Sequence, residues 1–454
     1  MSAHVLAPPL EPPSTATGDR EIVEAVLAPL QTTPPVWWVL FTICAAGTVL
    51  WLGAVVYTVA TGIGVWGNNI PVAWAFAIVN FVWWIGIGHA GTFISAFLML
   101  LNQPWRAAVS RIAESMTLIA VAIAGTFPLL HLGRPWFFYW LTPYPSTMGV
   151  WPNFKSALPW DVAAVASYFI VSTTFFYLGA IPDLALARDG LQGRRRRRVY
   201  GVFALGWNGA GTQWRRRRAA LKIIAGIVAA LVVSVHSIVS LDFSIAQLTG
   251  WHSTILPPYF VVGAVYSGFA MVLVLIVPIR HVYRLESVIT LDHLDKLARL
   301  LLTIGLLLTY CYVVEFVSAG RSSDPLERTT YLQHWPFGYF GWLFWLMLIF
   351  NVGTPQLLWS ARLRRTPAVL AGAGIAILIG MWLERFIIVV ASLAQGALPS
   401  SWFAYRPTWV DWSILCGSLS LFGLVFLLFL RFVPAAATDE LRRDRFERMM
   451  LVRR

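Results

Sequence analysis

Two polar clusters interrupt strongly apolar stretches of this chain, and both carry groups that can accept and donate protons. The first, PLLHLGRPWFFYWLTPYPSTMGVWPNFKSALPWD from Pro128 to Asp161, holds His131, Arg134 and Asp161. The second, SVHSIVSLDFSIAQLTGWHSTILPPY from Ser234 to Tyr259, holds His236, Ser237, Ser240, Asp242, His252 and Tyr259. A neutral imidazole or a carboxylate accepts a hydroxyl proton, a donor holds a second oxygen, and aromatic walls grip a ring. Such a set suits an amphipathic ring with two hydroxyls, whose oxidation releases two protons with two electrons. A quinol has that chemistry. The structural alternative is that Asp161 complements a helix amino terminus and His131 a carboxyl terminus.

Other ionisable residues fall inside apolar stretches, where a bilayer penalises them unless they are paired, hydrated or used. These are His89, Glu114, Glu315, Glu384 and Arg385. The staggered depths of His89, Glu114 and Glu315 suggest a polar path for protons, with Glu384 as a further member or a structural cross-link. Adjacent residues point about 100° apart on a helix, so Glu384 and Arg385 are each expected to seek a partner on another helix.

The elements that position these groups follow from composition. With 58% hydrophobic residues, 12% charged residues and a mean hydropathy of +0.68, the chain lies outside soluble globular usage. A membrane span takes roughly 20 apolar residues as helix. Segments at 36–61, 73–101, 108–131, 157–180, 219–241, 259–281, 297–319, 337–361, 367–391 and 411–433 meet this requirement. The fold class is therefore all-α, a polytopic membrane protein of about ten transmembrane helices. Helices two to five and six to nine are expected to form two four-helix bundles, with two peripheral helices. Gly91 and Ser95, and Ala264 and Gly268, have the small-xxx-small spacing of close helix crossings.

Basic residues orient the chain. With both termini cytoplasmic, the cytoplasmic segments hold 28 Lys and Arg residues, and the periplasmic ones hold Arg134, Lys155, Arg321, Arg328 and Arg406. That asymmetry sets the orientation of the chain, which is expected in a bacterial inner membrane, and it accounts for the +13 net charge without nucleic acid. Arg194–Arg198 and Arg215–Arg218 read as contacts for anionic membrane lipids. Residues 1–35 read as a cytoplasmic proline-rich tail without a signal peptide and 36–433 as the membrane domain. Within it, 181–218 is a basic cytoplasmic loop and 132–156 and 242–258 are periplasmic loops at the site. Residues 434–454 form a basic cytoplasmic tail.

Cys44, Cys311 and Cys416 lie apart with no C-x-x-C pair, so no iron–sulfur or zinc site is encoded, and no metal site is expected. A haem b cytochrome would need facing imidazoles, for which His131 and His236 are the available pairing, with His89 lacking an obvious partner. A proton-coupled transporter would also bury Glu and Arg, but it would not need aromatic residues concentrated at one face.

The motifs IGHAGTFISA, HLGRPW, YPSTMGVWPNF, PWD, SVHSIVSLDF, GWHSTILPPY and MWLERF, in this order, together with the YGVFALGW loop, resemble the NrfD/polysulfide reductase-like membrane subunits. Within that family the likeness is greatest to the quinol-oxidising subunit of alternative complex III, from about Trp83 to about Arg406. The resemblance implies menaquinol as substrate, with no haem or iron–sulfur cluster in this chain. It also implies a periplasmic iron–sulfur/molybdopterin-like subunit, multihaem cytochrome c subunits and a second NrfD-like membrane subunit as partners. The pocket residues it implies are His131, Asp161 and Asp242, joined by His252 and Arg385; Arg134, His236 and Tyr259 are further candidates for holding the quinol.

Overall fold

The computed structural model describes residues 16–142 and 157–442. The whole YPSTMGVWPNF segment, with Lys155, and the outer parts of both tails lie outside the described residues. Among the described residues, ten helices are long and apolar enough to cross a membrane: α1 Pro35–Thr61, α2 Phe76–Leu100, α3 Ser110–His131, α4 Ala157–Gly190, α5 Gly211–Ser244, α6 Leu256–Val282, α7 Leu291–Gly320, α8 Gly341–Trp359, α9 Pro367–Ala394 and α10 Trp409–Phe432. The chain is a multi-pass integral membrane protein.

Packing divides the helices as their order suggests. In one bundle α2 packs on α3, α3 on α4, α4 on α5 and α5 back on α2; α6 to α9 close a second ring in the same way. The bundles join through α2 and α6, while α1 and α10 pair at the periphery and lean on α3. Glycine permits the closest approaches. A methyl group at Gly268 would run into Ala90, and one at Gly91 would run into the carbonyl of Ala113.

Prolines shape the spans near the polar clusters. A proline ring cannot sit against the carbonyl four residues earlier. The regular part of α3 accordingly ends at Ala124, four residues before Pro128, and a second piece, Thr126–His131, carries the histidine. In α4, Pro182 frees the carbonyl of Leu178, which accepts from Arg217 Nε at 2.8 Å. In α8, Pro355 frees the carbonyl of Asn351, which accepts from the Tyr266 hydroxyl at 3.1 Å.

Several boundaries differ from the sequence expectation. The loop expected at 181–218 is largely helical: α4 continues to Gly190, a short helix spans Arg194–Phe203, and α5 starts at Gly211. Continuation past Pro182 is supported by Asp183, whose carboxylate accepts from Arg111 Nη2 at 2.9 Å. The amino-terminal tail is also corrected, since Ala16–Gln31 is a helix. Its Leu27 and Leu30 pack in a small core with Ala180, Leu184, Ala187 and Tyr200. The carboxyl-terminal tail docks as well, burying Ala435, Ala436, Ala437 and Leu441.

Candidate functional site

A cavity of about 470 Å³ opens inside the first bundle at the end opposite the arginine clusters. Helix α2 contributes Ile78, Phe81 and Val82; α3 contributes Val121, Gly125 and Pro128; α4 contributes Leu158, Val165 and Phe169. His131, Asp161 and Asp242 also line this space. The break at Ala124 sets the final turn of α3, α4 begins four residues before Asp161, and α5 ends two residues after Asp242. Three separate helix ends therefore bring the imidazole and both carboxyls to one wall.

The rest of the wall is apolar, so the polar atoms stand out. Asp161 and Asp242 lie close enough to share a side-chain hydrogen bond. A hydrogen bond between two carboxyl groups requires that one of them carry a proton. His131 Nδ1, one Asp161 oxygen and one Asp242 oxygen are buried without a hydrogen-bond partner. Leaving such groups unmade costs about 1–3 kcal/mol each, so three beside one cavity make it the candidate site for a polar ligand. Trp66 stacks on His131 with ring centroids 6.1 Å apart and planes 27° apart, which fixes the imidazole's orientation. Trp74 and Phe243 close the floor edge to face at 5.8 Å.

The other sequence candidates lie elsewhere. Arg134 and His252 are exposed and do not line the cavity. His236, expected beside the ligand, is fully buried and lies Nδ1 to Nδ1 at 2.7 Å from His89. His89 thus has a partner after all, and the facing His131–His236 pair needed for haem is not formed. Tyr259 and Arg385 belong to the second bundle. There Arg385 Nη1 donates to Glu384 Oε1 at 2.5 Å, so the neighbours do pair, while Glu384 also reaches a partner on another helix, Tyr312 of α7. The long side chain folds back, and its Cζ lies over the Phe260 ring, 4.1 Å from the centroid. Gly263 makes room, since a methyl group there would meet Arg385 Nη2 at 2.9 Å.

Around that ion pair a polar cluster fills the second bundle. Tyr312 donates to Glu384, Asn351 Nδ2 donates to the Tyr312 hydroxyl at 2.9 Å, and Tyr331 donates to Glu315 at 2.8 Å. Asn351 and Tyr331 sit in wide, π-helical turns, Ile349–Gly353 and Thr330–His334, and a third, Ile387–Ala391, follows Arg385. Turns of this kind are frequent at functional sites because they leave carbonyls free. Here the Ile388 carbonyl accepts from Trp251 Nε1 at 2.6 Å.

A third cluster lies at the arginine-rich end of the first bundle. Glu114 accepts from Ser95 and pairs with Arg111 at 3.2 Å; Arg111 also pairs with Asp183, and Arg106 donates to Ser95 at 2.7 Å. Between this cluster and the histidine pair stands Tyr168, whose hydroxyl donates to the His89 carbonyl at 2.9 Å and contacts Thr92 and Thr117. Arg106, Arg111, Asp183, Tyr168 and Asn351 were not singled out from sequence, although Arg111 and Glu114, three residues apart on one helix, gave a usable signal.

A ten-helix, two-bundle membrane protein with an acid-and-imidazole cavity at one end of the first bundle is the class this architecture defines. The chain belongs to the NrfD family, described as polysulphide reductase, NrfD, whose family model matches residues 64–397. It is 21% identical over 427 residues to the Hdr-like menaquinol oxidoreductase integral membrane subunit of Archaeoglobus fulgidus, covering 89% of this chain and 95% of that one. It is 23% identical over 375 residues to a selenate reductase subunit of Mesobacillus selenatarsenatis, covering 79% and 84%. A Halobacterium salinarum protein, provisionally named as a membrane subunit of dimethyl sulfoxide reductase, is 22% identical over 428 residues, with 85% of this chain and 91% of that one covered.

Proposed function

We propose that this chain is the quinol-oxidising membrane subunit of an electron-transfer complex of the alternative complex III type. It binds menaquinol in the cavity of the first bundle and passes electrons to an iron–sulfur centre of a partner subunit. Multihaem cytochrome c subunits and a second NrfD-like membrane subunit complete the assembly. It lies in a bacterial inner membrane with both termini cytoplasmic and the cavity near the periplasmic face. The observation that carries this reading is the set of unpartnered atoms on His131, Asp161 and Asp242 within an otherwise apolar cavity.

The chemistry balances on these residues. Quinol loses two protons and two electrons on becoming quinone. The Asp161–Asp242 pair, already sharing one proton, takes up one hydroxyl proton, and His131 Nδ1 takes the other. The electrons leave singly to the partner's iron–sulfur centre. Apolar walls hold the ring and the start of the tail, and a volume of about 470 Å³ falls in the usual range for such a ligand. The series Glu114, Tyr168, His89, His236, Arg385, Glu384 and Glu315 serves as a proton path that can link turnover to translocation.

A Val165→Trp substitution tests the site without touching a polar group, because Val165 lines the cavity from α4. The expected result in the assembled complex is loss of binding of a hydroxyquinoline N-oxide quinone analogue, read by fluorescence quenching. Unchanged binding would place the quinol elsewhere.

A further inference from the structure

At the arginine-rich end, a second cavity of about 170 Å³ lies between α5 and the docked carboxyl-terminal segment. Its wall includes Arg106, Arg217, Lys222, Asp439 and Glu440. It has room for several waters. Residues 433–442 are held over it from several sides. The Thr438 N–H donates to Asp183 Oδ1 at 3.0 Å, Glu440 pairs with Arg106, and the alanines before them are buried.

Exposure falls steadily along this line. The Glu440 side chain is 24% exposed, Arg106 is 7% exposed and Glu114 is 4% exposed. Arg106 links the two carboxylates: it holds Glu440 with Nη2, while Nη1 donates to Ser95 and lies 3.8 Å from Glu114. One Asp439 oxygen is buried without a hydrogen-bond partner. Asp439 lines the cavity, so water in it is the remaining partner open to that oxygen.

We propose that this cavity is a proton-exchange site, with Glu440 as the positioning residue that controls it. Latched on Arg106, Glu440 keeps bulk water from Ser95 and Glu114. Released from Arg106, it admits water from the cavity, and Asp439 and that water relay protons to Glu114. The consequence for translocation rests on Glu114 belonging to the proton path, but the closure can be measured apart from it.

The test is accessibility of Ser95→Cys in the assembled complex to a membrane-impermeant methanethiosulfonate applied from the arginine-rich side. Labelling is counted above that of the parent with its three native cysteines. The expected rate is slow, rising at least tenfold when Glu440→Ala is added and by a smaller factor with Glu440→Gln, which keeps a hydrogen-bonding shape. Equal rates with and without both Glu440 substitutions would overturn the proposal, as would a Ser95→Cys rate in the otherwise native chain matching that of exposed Thr212→Cys. An unaltered proton-to-electron ratio in Glu114→Gln would remove the proton path alone, leaving the labelling result to stand or fall separately.

Discussion

His89 on α2 and His236 on α5 meet with their Nδ1 atoms 2.7 Å apart, fully buried beside the junction of the two bundles. One nitrogen must donate and the other accept, so the two rings hold complementary tautomers. Both Nε2 atoms are left without partners, one on each side of the bond. The Phe260 ring lies 6.1 Å from His236 and also packs under Arg385, so the pair stands between the clusters of the two bundles.

His236 does not line the ligand cavity, which separates two roles that its position in the sequence left together. His236→Phe is expected to retain quinone-analogue binding while lowering the proton-to-electron ratio of the assembled complex. Loss of analogue binding with an unchanged ratio would return His236 to the quinol site.

The Glu384–Arg385 ion pair is buried and also satisfied by Tyr312, so removing one member leaves a charge uncompensated. Glu384→Gln is expected to destabilise the protein by about 3–5 kcal/mol, the usual cost of breaking a buried pair from one side. Thermal unfolding in detergent reads this as a markedly lower midpoint. An unchanged midpoint would mean that Arg385 finds another partner in the variant.

The Asp439 carboxyl lies outside the spans, and burial together with nearby Asp183 and Glu440 pushes it up to about 7, against the opposing pull of Arg217 and Arg442. Released from its site it would titrate near the ordinary value of about 3.9. The docked segment thus binds more protons than the released one between these values, and docking weakens as pH rises through that window and levels off above about 7. Ser95→Cys labelling, divided by that of Thr212→Cys to remove thiol ionisation, is expected to rise from pH 5 to pH 7.5. The rise should vanish with Asp439→Asn, and a falling profile would reverse the assigned sign.

The proposed orientation has its own check in the basic-residue asymmetry. A cysteine at exposed Thr212 should react with an impermeant reagent only from the cytoplasmic side, and one at exposed Thr254 only from the periplasmic side. The reverse pattern would move the cavity to the other face of the membrane.

The ten spans were legible because apolar runs of this length have few other folded uses, and helix direction alone put His131, Asp161 and Asp242 at one end. What failed had particular causes. The span expected at 157–180 runs on past Pro182, where Asp183 is tolerated because Arg111, 72 residues earlier, supplies its partner. The His89–His236 bond depends on which faces of α2 and α5 oppose one another, which one sequence does not state. Glu384 and Arg385 pair because a long side chain can bend across the 100° between neighbours. The helix Ala16–Gln31 was legible and missed: Ile22, Val26 and Leu30 recur every four residues.

The roles of Asp242 and His131 can be separated from their packing. Asp242→Asn keeps the size and hydrogen-bonding shape of the side chain but abolishes its capacity to take up a proton, and Asp242 is only half-buried at the cavity wall. General-base catalysis contributes roughly 100- to 10,000-fold, so quinol oxidation by the assembled complex is expected to slow within that range while analogue binding persists. His131→Phe keeps a flat ring for Trp66 to stack on and removes Nδ1, so it should slow the same step or weaken binding. Stopped-flow oxidation of a short-chain menaquinol measures both. If both variants assemble and keep the parent rate, the cavity's acid and imidazole groups are a helix-end network holding the partner subunit, and proton uptake belongs to other residues.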